Sequence, residues 1–266
     1  MVKTIVIAPR GKMGRLITKV CAENPQIELV AGIGPKGRDY IGSDLGQVAM
    51  LGENVGAKVV DDLASVIDDC DVIIDFSTKE LGMEVLQQAV EHKKALVCGT
   101  TGFSEEEMQK FRDASKVIPM LYAANTSKLV NVMNKLLEMV TQIVGNETDI
   151  EILEFHDQWK KDAPSGTSKE MGEIMAEVLG KELKDIAVYG REGACPREPG
   201  TIGYHSVRAG NIPSSHTVYF GGMGERLEIT HHCYNWECFA RGAVDCAIFL
   251  EDKEAGFYTI KDVLNI

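Results

Sequence analysis

The sequence lacks an apolar run long enough to cross a membrane, and it lacks any excess of positive charge. A spanning helix needs about 18 apolar residues, and the N-terminal run before Arg10 is also too short for a secretory signal peptide. The formal net charge is -12 at pH 7, and no long basic run offsets it. This charge argues against nucleic acid or an anionic membrane as a partner, so any anion site must be built locally.

The cysteines indicate neither a disulfide framework nor a metal site. There are seven of them, an odd number, and no two are spaced as C-x-x-C. We therefore expect the protein in the cytoplasm, a reducing compartment. Cys233 and Cys238 follow His231 and His232, but this spacing matches no standard zinc pattern, and "RLEITHHCY" is typical of an apolar strand. No metal site is predicted.

The first 125 residues alternate short β-branched runs with amphipathic helical segments. The runs are almost continuously apolar, as parallel strands covered on both faces are. Alternating strands and helices with short connections predict an α/β domain with a doubly wound parallel sheet. The predicted strands are 3–8, 27–33, 57–60, 72–77, 95–100 and 118–123.

Beyond residue 127 the pattern changes to that of an α+β domain. A helix is predicted at 129–144 and a strand at 149–155, and a second helix begins at about Thr167 and ends at Gly180. The segments "TIGYHSVRAG", "SHTVYFGG" and "GERLEITHHC" alternate apolar and polar residues, which predicts antiparallel strands with one covered face. The chain closes with a helical pattern, "CFARGAVDCAIFLE".

The first predicted strand runs into the glycine turn "IVIAPRGKMGR". Gly11 and Gly14 allow the tight turn and close backbone approach that a dinucleotide pyrophosphate needs at a helix N-terminus, although Ala8 stands where a first glycine is expected. Two later strand ends, "DFST" and "CGTTGF", are also small and polar, and ligands bind beyond the carboxyl ends of parallel strands. These three strand ends favour a nucleotide site over a turn that serves packing alone.

The end of the second strand bears on the choice of cofactor. An NAD site usually has an acidic residue there, whereas this chain has Gly34, Lys36 and Arg38. Cations at this place suit a 2′-phosphate and favour NADPH over NADH, the alternative being a solvated basic turn.

The stretch "HDQWKKDAPSGT", residues 156–167, gathers positive charge in an acidic chain. The spacing of Thr167 and Glu170 predicts a capping box, which puts the unpaired N–H groups of a helix start beside Gly166. Lys160 adds charge, and His156 can hold or release a proton near neutral pH. The stretch predicts either a site for an anionic substrate or a surface loop before a capped helix.

The segment "EFHDQWKKDAPSGTSKEMGE" resembles the E-x-H-H-x-x-K-x-D-A-P-S-G-T block of 4-hydroxy-tetrahydrodipicolinate reductases, also called dihydrodipicolinate reductases. Further blocks, among them "GKMGR", "AANTSKLVNVMNKLLE", "PGTIGYHSVRAGNI" and "FARGAV", follow in that family's order along essentially the whole chain.

The resemblance implies a Rossmann-type dinucleotide-binding domain at 1–127, with 237–266 packing back on it. It also implies an α+β domain at 128–236 that binds substrate and assembles a homotetramer. The implied reaction is reduction of 4-hydroxy-tetrahydrodipicolinate to tetrahydrodipicolinate by NADPH or NADH, on the route to diaminopimelate and lysine.

The resemblance also implies roles for particular residues. His156 matches a proton donor or acceptor, and Lys160 matches a proton donor. The segment that binds the substrate dicarboxylate corresponds to Asp157, Ser165, Gly166 and Thr167. The implied cofactor-binding residues are Ala8, Pro9, Arg10, Gly11, Lys12, Met13, Gly14, Lys36, Phe76, Gly99, Thr100, Thr101, Ala123, Ala124, Asn125 and Thr126.

The chain departs from the family pattern at several positions. Asp157 replaces a second histidine, Trp236 an arginine, Ala8 the first glycine of the phosphate turn, and Leu129 a later glycine. Asp157 would put a negative charge where a dianion binds, and the protein could compensate by pairing it with Lys161. These departures leave open a related reductase of another cyclic imine or enamine, and a non-catalytic nucleotide-binding oligomer.

Overall fold

A computed structural model describes the whole chain, residues 1–266. The chain forms two compact units: the first contains Met1–Lys128 together with Trp236–Ile266, and the second contains Leu129–Asn235. The second unit is therefore an insertion into the sequence of the first. No helix has both the length and the apolar character needed to cross a membrane.

The elements alternate between strand and helix along most of the chain, with two short 3-10 turns at Leu63–Ser65 and Ile67–Asp69. In chain order they are β1 (Val2–Ile7), α1 (Lys12–Glu23), β2 (Ile27–Ile33), α2 (Leu45–Val48), β3 (Lys58–Val60), β4 (Val72–Asp75), α3 (Lys79–Glu91), β5 (Ala95–Cys98), α4 (Glu105–Ala114), β6 (Pro119–Tyr122), α5 (Lys128–Val144), β7 (Asp149–His156), α6 (Gly166–Val178), α7 (Leu183–Ile186), β8 (Ala187–Tyr189), β9 (Ile202–Arg208), β10 (Ser214–Gly221), β11 (Arg226–Cys233), α8 (Glu237–Leu250), β12 (Gly256–Tyr258) and α9 (Ile260–Leu264).

The first unit is a seven-stranded parallel sheet in the order β12-β6-β5-β4-β1-β2-β3. Along β1 the side chains alternate between two cores, since Val2 and Val6 pack against α1 and α8, whereas Ile5 and Ile7 pack with α3 and α4. Both faces are therefore covered, which confirms the doubly wound α/β prediction. The strand order reverses at β1 and β4, where such sheets open a crevice for a ligand.

The second unit has a five-stranded mixed sheet in the order β11-β10-β7-β9-β8. One face packs against α5 and α6, with Ile150 and Ile152 of β7 among Met133, Met171 and other apolar side chains. Of the three later segments predicted as antiparallel strands, β10 and β11 are antiparallel to their neighbours, but the prediction was wrong for β9, which runs parallel to β7. The chain passes through α6, α7 and β8 between these two strands, and so long a crossover allows a parallel pair.

The structure has a strand at each predicted place, and the observed strand ends differ from the predicted ones by at most two residues. β8 and β12 were not predicted, because each has three residues and is too short to show a periodic pattern.

Candidate active site

In the first unit, the predicted cofactor residues lie at the carboxyl edge of the parallel sheet. The turn Ala8–Gly11 follows β1, Phe76 follows β4, Gly99–Thr101 follows β5 and Ala123–Thr126 follows β6. These strands are neighbours in the sheet order, so the fold brings the segments to one edge. Lys36 is exposed in the loop after β2, the strand that neighbours β1 on its other side.

The start of α1 has the features of an anion site. Its N-cap residue is Gly11, which provides no side-chain cap, and the first turn contains no acidic residue. The N–H groups of this turn thus keep the positive end of the helix dipole uncompensated. A Cβ added at Gly11 would meet only the Ala8 carbonyl oxygen, at 3.3 Å. No side chain therefore crowds the backbone at this helix start, and a ligand can approach it closely. The turn fits a dinucleotide pyrophosphate.

Gly14 has a different reason to be glycine. A Cβ on Gly14 would lie 2.1 Å from the carbonyl oxygen of Ala8 and 2.8 Å from the Cα atom of Pro9. The helix therefore packs directly on the turn that precedes it. Ala8 itself has φ of 53°, in the left-handed region, which costs a non-glycine residue roughly 1–2 kcal/mol. The departure at Ala8 is thus accommodated in the backbone conformation that a glycine would favour.

Lys12 and Trp236 form a contact that sequence reasoning did not foresee. The Lys12 ammonium lies 3.2 Å from the centre of the Trp236 indole ring, close enough for a cation–π interaction. Lys12 is the first residue of α1, and Trp236 is the N-cap of α8. The indole thereby holds a cation at the start of the helix that would bind the pyrophosphate.

Asp75, at the end of β4, is a buried carboxyl group that orders the neighbouring strand ends. It accepts hydrogen bonds from the N–H of Ser77 at 3.0 Å and from Oγ1 of Thr100 at 3.2 Å. Burial raises the pKa of this carboxyl, although these bonds oppose the shift. Next to it, Gly99 must be glycine, because a Cβ there would lie 2.1 Å from the Phe76 ring. Asp75 ties together two of the predicted cofactor segments.

The loop after β2 provides exposed cations. Lys36 and Arg38 are both exposed. Arg10, in the glycine turn, lies 3.5 Å from Asp39 and has its guanidinium 4.9 Å from the Tyr40 ring centre. Asp39 and Tyr40 thus hold Arg10 toward this loop, and no local sequence pattern predicts these contacts.

In the second unit, the buried face of β7 is apolar in its first part and polar at its end. Glu154 and His156 lie on the same face of the strand as Ile150 and Ile152, and all of them are buried. Glu154 is fully buried, with ion-pair distances of 2.9 Å to Arg208 and 3.1 Å to Nδ1 of His156. Burial disfavours its ionised form, but hydrogen bonds from His156, Ser165, Ser206 and Arg208 outweigh that effect and hold the pKa of Glu154 well below its ordinary value.

His216 completes this buried cluster. Its Nε2 atom lies 3.2 Å from Oγ of Ser165, and its ring meets that of His156 edge to face at 5.3 Å. Burial, followed by the nearby His156, lowers the pKa of His216 to about 4, so its ring is neutral at pH 7. The ligand atoms of Glu154, His156 and His216 lie within 4.8 Å of one another, close enough to be metal ligands. Arg208 already neutralises this carboxylate, which disfavours a divalent cation.

The helix that follows His156 and the two lysines begins earlier than predicted. The N-cap of α6 is Ser165, whose side chain accepts the N–H of Ser168, and the first helical residue is Gly166 rather than Thr167. The extended backbone of Ser165 lets its hydroxyl reach that N–H, as a cap requires. Gly166 and Thr167 therefore lie in the first turn of α6, and a Cβ on Gly166 would meet nothing within 4 Å. A ligand carboxylate has room at this helix start.

The loop between β7 and α6 carries the two lysines. Lys160 is partly buried, and its ammonium lies 2.8 Å from Oδ1 of Asp162, whereas Lys161 is exposed and has no ion pair. Asp157 does not pair with Lys161 as we suggested. Its Oδ1 atom instead accepts the N–H of Trp159 at 2.9 Å, which closes a turn before Lys160.

The seven-stranded parallel sheet and the uncapped glycine turn define a Rossmann-type dinucleotide-binding unit. Together with the family models and relatives described next, they place the chain in the class of nicotinamide-dependent oxidoreductases. Family models described as "Dihydrodipicolinate reductase, N-terminus" and "Dihydrodipicolinate reductase, C-terminus" match residues 2–126 and 129–264. The chain belongs to the dihydrodipicolinate reductase family.

Relatives named 4-hydroxy-tetrahydrodipicolinate reductase match the chain over its whole length. The protein from Colwellia psychrerythraea is 44% identical over 100% of this chain and 98% of its own, and that from Hahella chejuensis is 40% identical over 100% of both. A dipicolinate-bound dihydrodipicolinate reductase from Paenisporosarcina sp. TG-14 is a structural neighbour, with a TM-score of 0.76 and 25% identity over 97% of each chain. A myo-inositol dehydrogenase from Corynebacterium glutamicum shares the fold alone, with a TM-score of 0.60 and 13% identity over 100% of this chain and 93% of its own.

Proposed function

We propose that this protein reduces 4-hydroxy-tetrahydrodipicolinate to tetrahydrodipicolinate, with NADPH or NADH as the reductant, in the biosynthesis of diaminopimelate and lysine. The observation that carries the proposal is the end of β7 and the start of α6. There, a buried histidine with an ionised partner, a lysine and the N-terminal turn of a helix follow one another within one segment of the second unit. Full-length relatives named 4-hydroxy-tetrahydrodipicolinate reductase support the same reaction.

The chain's residues divide the work between binding and proton transfer. The first-turn N–H groups of Gly166 and Thr167 bind a substrate carboxylate at the positive end of the α6 dipole. Ser165 supports this turn as its N-cap, since its own N–H and hydroxyl donate to Glu154 and Ser168. Lys160 and His156 supply the proton that the substrate takes up, since an ammonium group and an imidazole can act as general acids and the two residues lie in one segment at and after the end of β7. When bound, the nicotinamide supplies the hydride.

The cofactor lies at the carboxyl edge of the first unit. The N-terminal turn of α1 binds the pyrophosphate, and the segments around Phe76, Gly99 and Ala123 line the adjoining strand ends. Lys12, held against Trp236, adds a positive charge at the same helix start. For the 2′-phosphate we propose Lys36 and Arg38, with NADPH favoured over NADH.

The loop after β2 gives the test of cofactor preference. The double variant Lys36→Glu and Arg38→Glu should weaken NADPH binding by roughly tenfold or more, because two charge-assisted contacts to the 2′-phosphate are lost and replaced by repulsion. NADH has no such phosphate and is the internal control, measured by the same fluorescence titration. Equal losses for both cofactors would show that this loop does not discriminate between them.

A coupled assay tests the reaction itself. A dihydrodipicolinate synthase generates the unstable substrate in place, and oxidation of NADPH or NADH is followed by absorbance. Turnover that depends on the synthase supports the proposed reaction. Cofactor binding without such turnover would contradict it, and a panel of other cyclic imines would then identify a related reductase.

Asp157 is the residue that would favour a different, less negatively charged substrate. If its carboxylate faces the substrate site, Asp157→Asn should tighten dipicolinate binding roughly tenfold, since a like charge in a low-dielectric site costs on the order of 1–3 kcal/mol. The amide oxygen of asparagine can still accept the Trp159 N–H, so the turn survives. Calorimetric titration gives the Kd, and Asp185→Asn on α7 is the matched control. An unchanged Kd would support the usual diacid as substrate.

We further propose a homotetramer in the cytoplasm. The edge strand β11 has exposed positions at Leu227, Glu228, Thr230 and His232, and a long edge strand is a natural place for assembly. The seven free cysteines suit a reducing compartment. Light scattering of the purified protein measures the assembly directly.

A further inference from the structure

A row of polar groups crosses one face of the second sheet and is buried at its centre, at Glu154 and His216. On β7, Glu154 pairs in register with His216 of β10 on one side and with Ser206 of β9 on the other. One step further, His156 pairs with Arg208. The preceding positions of the same face are apolar, so the change from core to polar side chains is confined to the strand end that carries His156.

Both carboxylate oxygens of Glu154 accept hydrogen bonds from neighbouring donors. Oε1 accepts the N–H of Ser165 at 3.1 Å and Nη2 of Arg208 at 2.9 Å. Oε2 accepts the hydroxyl of Ser168 at 3.2 Å. A carboxylate with such donors stays ionised and acts only as an acceptor, in agreement with the lowered pKa of Glu154.

His156 faces this acceptor with one particular ring nitrogen. Its Nδ1 atom is buried and lies 3.1 Å from Oε2 of Glu154, an ion-pair distance rather than an aligned hydrogen bond, and it has no hydrogen-bond partner elsewhere. A carboxylate this close to Nδ1 favours the proton on that nitrogen, so neutral His156 carries a free electron pair on Nε2. We infer that Glu154 is a positioning residue for the proposed reaction: its carboxylate fixes the Nδ1–H form of His156 and leaves Nε2 to take up a proton from water, which the resulting imidazolium gives to the substrate.

His216 fits the same arrangement without competing for it. The hydroxyl of Ser165 donates to Oγ of Ser168, which donates to Glu154, so Ser165 Oγ accepts from Nε2–H of His216. The Nδ1 atom of His216 is then the bare nitrogen, and it is the one that is buried without a partner. The neutral ring of His216 is left packed against His156 and does not donate to Glu154.

The substitution Glu154→Gln tests the inference because it changes acceptor capacity and keeps the shape. The single amide oxygen is drawn to the Ser165 N–H and to Arg208, which can only donate. The amide NH₂ group then turns toward Nδ1 of His156 and donates to it, which moves the ring proton to Nε2. We expect kcat to fall on the order of 10²-fold while KM for the substrate changes less than threefold.

A spectroscopic measurement separates this role from a structural one. The protein labelled with ¹⁵N only at its six histidines is measured by solid-state NMR, and the His156 signals are assigned by their loss in His156→Gln. The expected wild-type result at pH 8 is protonated Nδ1 and bare Nε2, reversed in Glu154→Gln. Bare Nδ1 in the wild type would overturn the inference, whether or not the variant folds.

Glu151 provides the matched control. It lies on the same strand and has comparable partners, with Arg191 at 2.9 Å and Nε2 of His205 at 2.8 Å, but it is not part of the His156 cluster. Glu151→Gln should therefore leave kcat within about threefold of wild type, and an equal loss in both variants would contradict the inference. The inference about Glu154 depends on the proposed function only in its kinetic test. If no substrate is turned over, the proposed function fails, while the NMR result still decides the role of Glu154.

Discussion

Lys160→Ala is expected to lower kcat about 10²-fold or more and to leave the Kd for NADPH within about twofold of wild type. The reason is that positioned acids contribute on this scale and that Lys160 belongs to the unit that does not contain the cofactor segments. His156→Ala should have an effect of the same size. Steady-state kinetics with synthase-generated substrate gives kcat, and fluorescence titration gives the Kd.

The neighbouring lysine is the control for this prediction. Lys161 has the same chemistry and the same net charge, but it is exposed and has no ion pair. Lys161→Ala should retain kcat within about threefold. Near-wild-type turnover in both Lys160→Ala and His156→Ala would remove these residues from the reaction.

A second large effect is expected in the glycine turn. Gly14→Val should abolish detectable binding of either cofactor and lower the free energy of unfolding by about 1–3 kcal/mol, because its Cβ would lie 2.1 Å from the Ala8 carbonyl oxygen and the turn must shift. Calorimetric titration measures the binding, and chemical denaturation measures the stability.

Gly11→Ala separates the two consequences. A Cβ at Gly11 would lie 3.3 Å from the same oxygen, so the turn needs only a small adjustment and the stability should change by less than about 0.5 kcal/mol. Cofactor affinity should nevertheless fall, because the methyl group stands where the pyrophosphate approaches. Loss of stability without loss of affinity in Gly11→Ala would contradict a nucleotide at this helix start.

How much of the site was predictable depended on whether the relevant signal was local. The glycine turn, the strand ends and the stretch from His156 to Thr167 are contiguous motifs, and the structure has each of them at a strand end or a helix start. Glu154 was missed although a signal existed, since the alternation along β7 puts it on the apolar face of Ile150 and Ile152. A carboxylate on such a face needs partners, and these come from other strands.

Other features had no direct local signal. The contact of Lys12 with Trp236 joins the two segments of the first unit, and the pairing of β9 with β7 depends on the path of the intervening chain. The left-handed conformation of Ala8 is uncommon for alanine, and the only signal for it was indirect: Ala8 stands where the phosphate turn is expected to have its first glycine.

The order of the two units along the chain has a consequence for synthesis on the ribosome. Residues 129–235 are contiguous and can complete their core as soon as they emerge. The first unit cannot, because Ala240, Val244 and Leu250 of α8 belong to the core that covers β1 and β4, and these residues are among the last to be translated. We therefore expect the inserted unit to mature first, with one face of the N-terminal sheet covered only by α1 until α8 has been translated. A nascent chain stopped at residue 235 should be far more sensitive to protease in its first 128 residues than in the remainder.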